Sequence, residues 1–159
     1  MVRVEKQIFC GKQNISWNPD VEQYLMKYID TECTVLSTGD RIIIPKGFPD
    51  EYTGSKYTKK LRGGLAKTKA NVAQCIGELI QSAFNCRYIE NKDEKHSKDA
   101  SGGWIRYDVI FEMCVKGQNE ADIRWNSYRG TLVIRVVDGK KYLYDLINIK
   151  KEARRPLES

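Results

Sequence analysis

The fold class this sequence predicts is α+β: a long buried helix packed on one face of a three- to four-stranded antiparallel sheet, with a small N-terminal α/β elaboration. Three observations predict it. Leu65–Cys86 carries a helical pattern that is apolar around most of its girth. Trp104–Val115 alternates with period two. Asp138-Gly139 is a two-residue hairpin signal between two further strand-like runs.

Taken in order, residues 1–49 read as a small α/β subdomain. Arg3–Gly11 holds a short strand-like run, and Ser16 or Asn18-Pro19-Asp20 starts a helix that extends to about Ile29. Val21, Tyr24, Leu25, Tyr28 and Ile29 form its apolar stripe. Thr34–Leu36 and Arg41–Ile44 are two short strands around Ser37-Thr38-Gly39-Asp40. Pro45, Gly47 and Pro49 then break the pattern, so the second unit spans 50–159.

That unit starts with the polar, basic segment Asp50–Arg62, whose tyrosines either stack on bases or anchor the segment to the core. In the long helix, Lys67, Asn71, Gln74, Glu78, Gln81 and Asn85 fall on one narrow polar stripe, so the remaining girth is buried. Gly102-Gly103 opens the first strand, where Ile105, Tyr107, Val109, Phe111, Met113 and Val115 form an apolar face. Arg106, Asp108 and Glu112 lie on the other. Ala121–Trp125 returns as a short strand, Thr131–Val137 is β-branched, and Lys141–Ile149 closes the hairpin. Asp145 sits between Leu143 and Ile147, where a carboxylate is unexpected and calls for an arginine partner on a neighbouring strand.

Composition narrows the function classes. The chain is 41% hydrophobic and 30% charged, as soluble globular domains are. No apolar run approaches the roughly 20 residues of a membrane helix, and the N-terminus has no secretory apolar region. The expected location is therefore the cytoplasm, of a producing or a target bacterial cell. Five scattered cysteines without a C-x-x-C pair read as buried reduced thiols, and no metal or other cofactor is expected. Residues 1–50 are close to neutral, whereas residues 51–159 carry 21 basic and 14 acidic side chains. Such a bias suits a polyanionic partner or plain solubility.

The segments DEYTGSKYTKKLRGGLAKTKANVAQCIGELI, EKHSKDASGGWIRYD and KKYLYDLINIKKE resemble a large polyvalent-protein-associated domain. Domains of that kind occur in phage and mobile-element proteins, including fusions that resemble polymorphic toxins. The resemblance covers roughly residues 50–159 and implies a mobile-element setting. The order of helix then antiparallel sheet is similar in topology to the barnase/EndoU/colicin/RelE-like ribonucleases, which need no metal.

A metal-independent ribonuclease needs a base, an acid and cations around the scissile phosphate. His96, the only histidine, is the natural acid or base, with Asp108 or Glu112 as the second proton-transfer group and Arg106 as a phosphate-neutralising cation. Lys56, Lys59, Lys60, Arg62, Lys95, Arg124 and Arg135 are the expected phosphate contacts, and Tyr128 a base-stacking residue. The competing reading of the charged strand face is a set of cross-strand ion pairs, and that of His96 plain exposure. Two functions are thus expected: an endoribonuclease-like toxin domain acting on RNA, with a small acidic immunity protein as partner, or a non-catalytic module that binds nucleic acid or protein.

Overall fold

A computed structural model describes residues 1–10, 14–90, 101–116 and 121–152. The strands are β1 (Val2–Val4), β2 (Glu32–Thr34), β3 (Arg41–Ile43), β4 (Phe84–Ile89), β5 (Trp104–Lys116), β6 (Ile123–Val137) and β7 (Lys140–Lys151). They form one seven-stranded sheet in the order β1-β5-β6-β7-β3-β2, with β4 beside β1 on the same edge of β5. The helices are α1 (Glu22–Leu25), α2 (Phe48–Gly54), α3 (Lys56–Lys60), α4 (Gly63–Val72) and α5 (Ile76–Ser82).

The fold is α+β, but its sheet is neither small nor purely antiparallel. β1 runs parallel to β5 and β3 parallel to β7, so the N-terminal strands are part of the main sheet and not an elaboration beside it. The single long helix is likewise replaced by shorter ones. A tight turn at Ala73–Cys75 separates α4 from α5, and Cys75 leaves helical geometry at φ −120°, ψ 27°. Helix ends at Ser82, Ala83 turns extended, and Phe84 to Cys86 belong to β4. The apolar pattern looked continuous because a buried helix and a strand that covers the same core both present apolar residues.

The meander β5–β6–β7 follows the periodicity closely. Ile105, Tyr107, Val109, Phe111 and Met113 are buried, and β6 runs unbroken through the two segments that looked separate. Asp138 and Gly139 both have positive φ (51° and 75°), as a two-residue turn matched to strand twist requires.

β7 departs from simple alternation. Two register shifts against β6 leave Tyr144 as an extra residue between Leu143 and Asp145, and set Asn148-Ile149 against Gly130 alone. Asn148 sits at φ 54°. The buried apolar residues of β7 consequently step by three, Leu143, Leu146 and Ile149, where an unbulged strand steps by two.

β3 pairs only with Lys141 and Tyr142 of β7, so most of that edge lacks a strand partner. Helical residues cover it instead. The Tyr57 hydroxyl accepts from Ile149 N at 2.9 Å, and Asp145 Oδ1 accepts from Leu146 N at 2.8 Å. The partner of Asp145 is Lys69 of α4, at 2.6 Å, and not an arginine of a neighbouring strand. Lys69 is fully buried and also donates to Thr58 Oγ1 at 2.6 Å. It lies 4.5 Å from the Tyr52 ring centroid and 5.2 Å from that of Tyr57. Both tyrosines of the basic segment thus serve as core anchors.

Of the five thiols, Cys75 and Cys114 are buried, Cys33 is half-buried, and Cys10 and Cys86 are exposed. A second polar joint ties the β2–β3 turn to the meander. The Tyr107 hydroxyl and Lys141 Nζ both donate to Asp40, and Thr38 Oγ1 lies 3.0 Å from the same hydroxyl.

Gly103 enters β5 at φ +91°, and a Cβ there would fall 2.6 Å from the Tyr88 hydroxyl and 2.9 Å from Ile89 O. Gly103→Ala is expected to destabilise the protein by about 1–3 kcal/mol, through backbone strain and the clash with β4 together. Urea unfolding followed by far-UV circular dichroism checks this, and an unchanged midpoint would count against the placement of β4.

Candidate nucleic-acid interface

In β5 the side chains of Trp104, Arg106, Asp108, Ile110 and Glu112 point away from the buried row, and none of them is fully buried. Register brings Arg135, Arg129, Ser127 and Trp125 of β6 opposite Trp104, Ile110, Glu112 and Cys114. β4 adds Arg87, directly opposite Arg106, and β1 adds Arg3, opposite Glu112. The result is a strip about 33 Å long, from Trp104 to Cys114 at about 3.3 Å per residue. It carries Arg3, Arg87, Arg106, Arg129 and Arg135, with indole rings near both ends.

The two carboxylates expected to move protons are taken up by arginines. Asp108 Oδ1 accepts from Arg87 at 3.0 Å and its Oδ2 from the Asn85 amide at 2.8 Å. Glu112 accepts from Arg3 Nε at 3.3 Å, and the Arg3 guanidinium also lies 4.8 Å from the Trp125 ring centroid. Arg129 pairs with Glu152 at 2.9 Å. Partial burial alone would raise the Asp108 carboxyl, but Asn85 and Arg87 hold it below its ordinary value, with Arg129 adding to the effect. Asp108 is thereby kept ionised, which unsuits it as a proton donor near neutrality.

Arg106 and Arg135 are different. Neither side chain forms an ion pair with a described residue, and the Nε of each is buried without a hydrogen-bond partner among the described residues. Arg135 stacks 5.1 Å from the Tyr142 ring centroid. Because Arg106 faces Val133 across the β5–β6 pair, Arg135 is its diagonal neighbour, within reach of a shared anion.

The other sequence-predicted residues do not join this strip. His96 and Lys95 lie outside the described residues. Tyr128 is buried on the opposite, core-facing side, with its ring stacked 5.5 Å from Phe111. Arg124 is exposed near the far end of β6, opposite Val115 of the core-facing row. Lys56, Lys59 and Lys60 are exposed on α3 in the helical layer. Arg62 lines a cavity of about 390 Å³ there with Lys67, Trp17 and Asn14.

Sequence reasoning missed Arg3, Arg87, Arg129, Trp125 and Tyr142. Alternation along β6 carried a signal for Arg129, because Arg129 and Arg135 share a parity. Nothing in the local pattern placed Arg87, which lies one residue past the expected helix Leu65–Cys86.

No family model, curated protein or solved structure matches this chain. Among the described residues, no cluster of His, Cys, Asp or Glu is placed to hold a metal ion, and no helix is long and apolar enough to cross a membrane.

The Asp108 pair makes a pH-dependent contribution whose sign follows from its depressed pKa. Its stabilisation is complete above the unfolded carboxyl value of about 3.9 and is lost as pH falls through the lower folded value. A carbon-detected NMR titration is expected to place the Asp108 midpoint below the usual carboxylate range and to move it upward in Arg87→Ala. A midpoint that Arg87→Ala leaves unmoved would remove Arg87 as a cause.

Proposed function

We propose that this chain is a nucleic-acid-binding module that holds RNA against the arginine strip of its sheet. One observation carries the reading: Arg106 and Arg135 are diagonal neighbours on that face without an anionic partner among the described residues, and Arg106 stands directly opposite a third cation, Arg87. Like charges opposed across a strand pair destabilise a sheet. Asp108 offsets Arg87 but leaves Arg106 without an acidic partner among the described residues. A phosphate backbone supplies the missing anions, and its binding is driven by release of the counterions it had condensed.

The chemistry of the strip favours binding over cleavage. Arginines offer planar, bidentate contacts to phosphate oxygens, while Asp108 and Glu112 are engaged in ion pairs. Contacts of this kind position a polyanion without reading its bases, so weak sequence preference follows. The net charge of +6 supports the same reading through long-range attraction. A phage or mobile-element setting, which the resemblance of residues 50–159 implies, suits such a module.

Fluorescence anisotropy with labelled RNA across a salt series tests this. Binding is expected to weaken steeply with salt, and Arg106→Ala and Arg135→Ala are each expected to reduce the log–log slope by about 0.7–0.9, the share of one phosphate contact. The RNA is expected to remain intact after incubation. Absence of binding at low ionic strength, or slopes untouched by the double substitution, would sink the proposal. RNA cleavage abolished by His96→Ala would favour the ribonuclease instead.

A further inference from the structure

Lys69 and Asp145 lie 76 residues apart in sequence, yet Lys69 Nζ is 2.6 Å from Asp145 Oδ1 at a site closed to solvent. The side chains are 0% and 3% exposed. The rings of Tyr52 and Tyr57 flank the amine at 4.5 Å and 5.2 Å. On the other side of the pair, Leu146 N–H donates to the carboxyl oxygen that meets the amine, at 2.8 Å. Glu51 of α2 is near enough to interact electrostatically with both groups.

Amines and carboxylic acids do not condense spontaneously in water for two reasons. Both are ionised there, so the amine has no free lone pair and the carboxylate resists attack. Water is also in large excess over the product. A buried site reverses both conditions, because desolvation disfavours the charged forms and excludes the competing water. Burial lowers the Lys69 pKa, against the pull of Asp145, and raises that of Asp145, against the pull of Lys69. Each shift moves its group toward the neutral form. Burial likewise raises the Glu51 carboxyl, against the pull of its hydrogen bond with Tyr144. Holding the two groups in contact adds an effective concentration that reaches about 10⁵–10⁸ M in well-oriented intramolecular reactions.

We propose that Lys69 and Asp145 become joined by an intramolecular isopeptide bond, Nζ to Cγ. In the step, the Nζ lone pair of the neutral amine attacks Cγ of the protonated carboxyl, and a C–N bond forms. Leu146 N–H supports the negative charge that gathers on Oδ1. A proton passes from nitrogen to the other carboxyl oxygen, whose bond to Cγ breaks. That oxygen leaves as water, with one hydrogen from the carboxyl and one from the amine. The product is a neutral amide, so no oxidant or co-reactant enters. The bond would fasten α4 to β7 and make covalent a contact that otherwise holds two charges in the core.

The intact mass of the purified full chain, measured under denaturing conditions, reads the outcome. The expected mass is one water below that of the sequence, and proteolysis is expected to yield a branched peptide joining Lys69 to Asp145. Asp145→Asn, nearly identical in shape, is expected to couple with loss of ammonia in place of water. An undiminished mass with Lys69 and Asp145 in separate peptides would overturn the proposal, as would a water loss that maps to another residue.

Discussion

The contact between Lys69 and Asp145 is the point at which the helical layer and the sheet become one structure. Asp145 stands on the strand whose outer edge β3 leaves mostly unpaired, and Lys69 stands on α4. Around them, Thr58 accepts from Lys69 and donates to Tyr52 O, the Tyr52 hydroxyl donates back to Lys69 O, and the Ser55 hydroxyl donates to Thr58 at 3.1 Å. One buried network therefore ties α2, α3, α4 and β7. Taking two ions out of water costs several kcal/mol per ion, and attraction offsets that only where the remaining donors and acceptors are also met. Here they are met by hydroxyls, a backbone amide and two aromatic rings. Such a joint specifies one docking of helices on strand, because any shift leaves a charge alone in the core.

The bulges of β7 make that joint possible. An unbulged β7 would bury every second residue, placing Leu143, Asp145 and Ile147 in a single row. The extra residue Tyr144 sets Asp145 opposite Val133 and lets Leu146 take the core position opposite Leu132. Asp145 is then free to meet a helix at the strand edge while the apolar row stays complete. Tyr144 in turn lies 4.8 Å from Trp104, centroid to centroid, so the bulge also shapes one end of the arginine strip.

Much of this was legible locally, and the failures share a cause. The alternation of β5 identified Arg106, Asp108 and Glu112 as one face, and the Asp138-Gly139 turn fixed the β6–β7 hairpin. Local pattern does not encode which distant strands pair, so neither parallel pairing was readable, and the N-terminal strands were assigned to a separate subdomain. The same gap moved Tyr128 to the wrong side, since its place opposite Phe111 follows from register alone. Lys69 was readable in principle. It falls off the stripe of Lys67, Asn71 and Gln74 and onto the side of Ala66, Ala70 and Ala73, where a lysine demands a buried acid. The unexplained carboxylate at Asp145 was the other half of that demand.

The buried pair and the arginine strip treat charge in opposite ways. In the core, Lys69 Nζ meets Asp145 Oδ1 and Thr58 Oγ1, and neither Lys69 nor Asp145 can be lost without stranding the other. On the strip, Arg106 faces Arg87, and Arg106 and Arg135 keep a buried Nε without a hydrogen-bond partner among the described residues. A sequence selected for stability alone would place a carboxylate or a neutral residue at one of these positions, since cross-strand pairs of opposite charge are readily accommodated. Asp108 shows that the strand tolerates an acid two residues away. The departure from local consistency is therefore confined to the arginine strip, which is where the proposed binding function would place it. A core locked by one buried pair can carry that local conflict without losing its fold, and in the proposed complex a phosphate backbone across the arginines would relieve it.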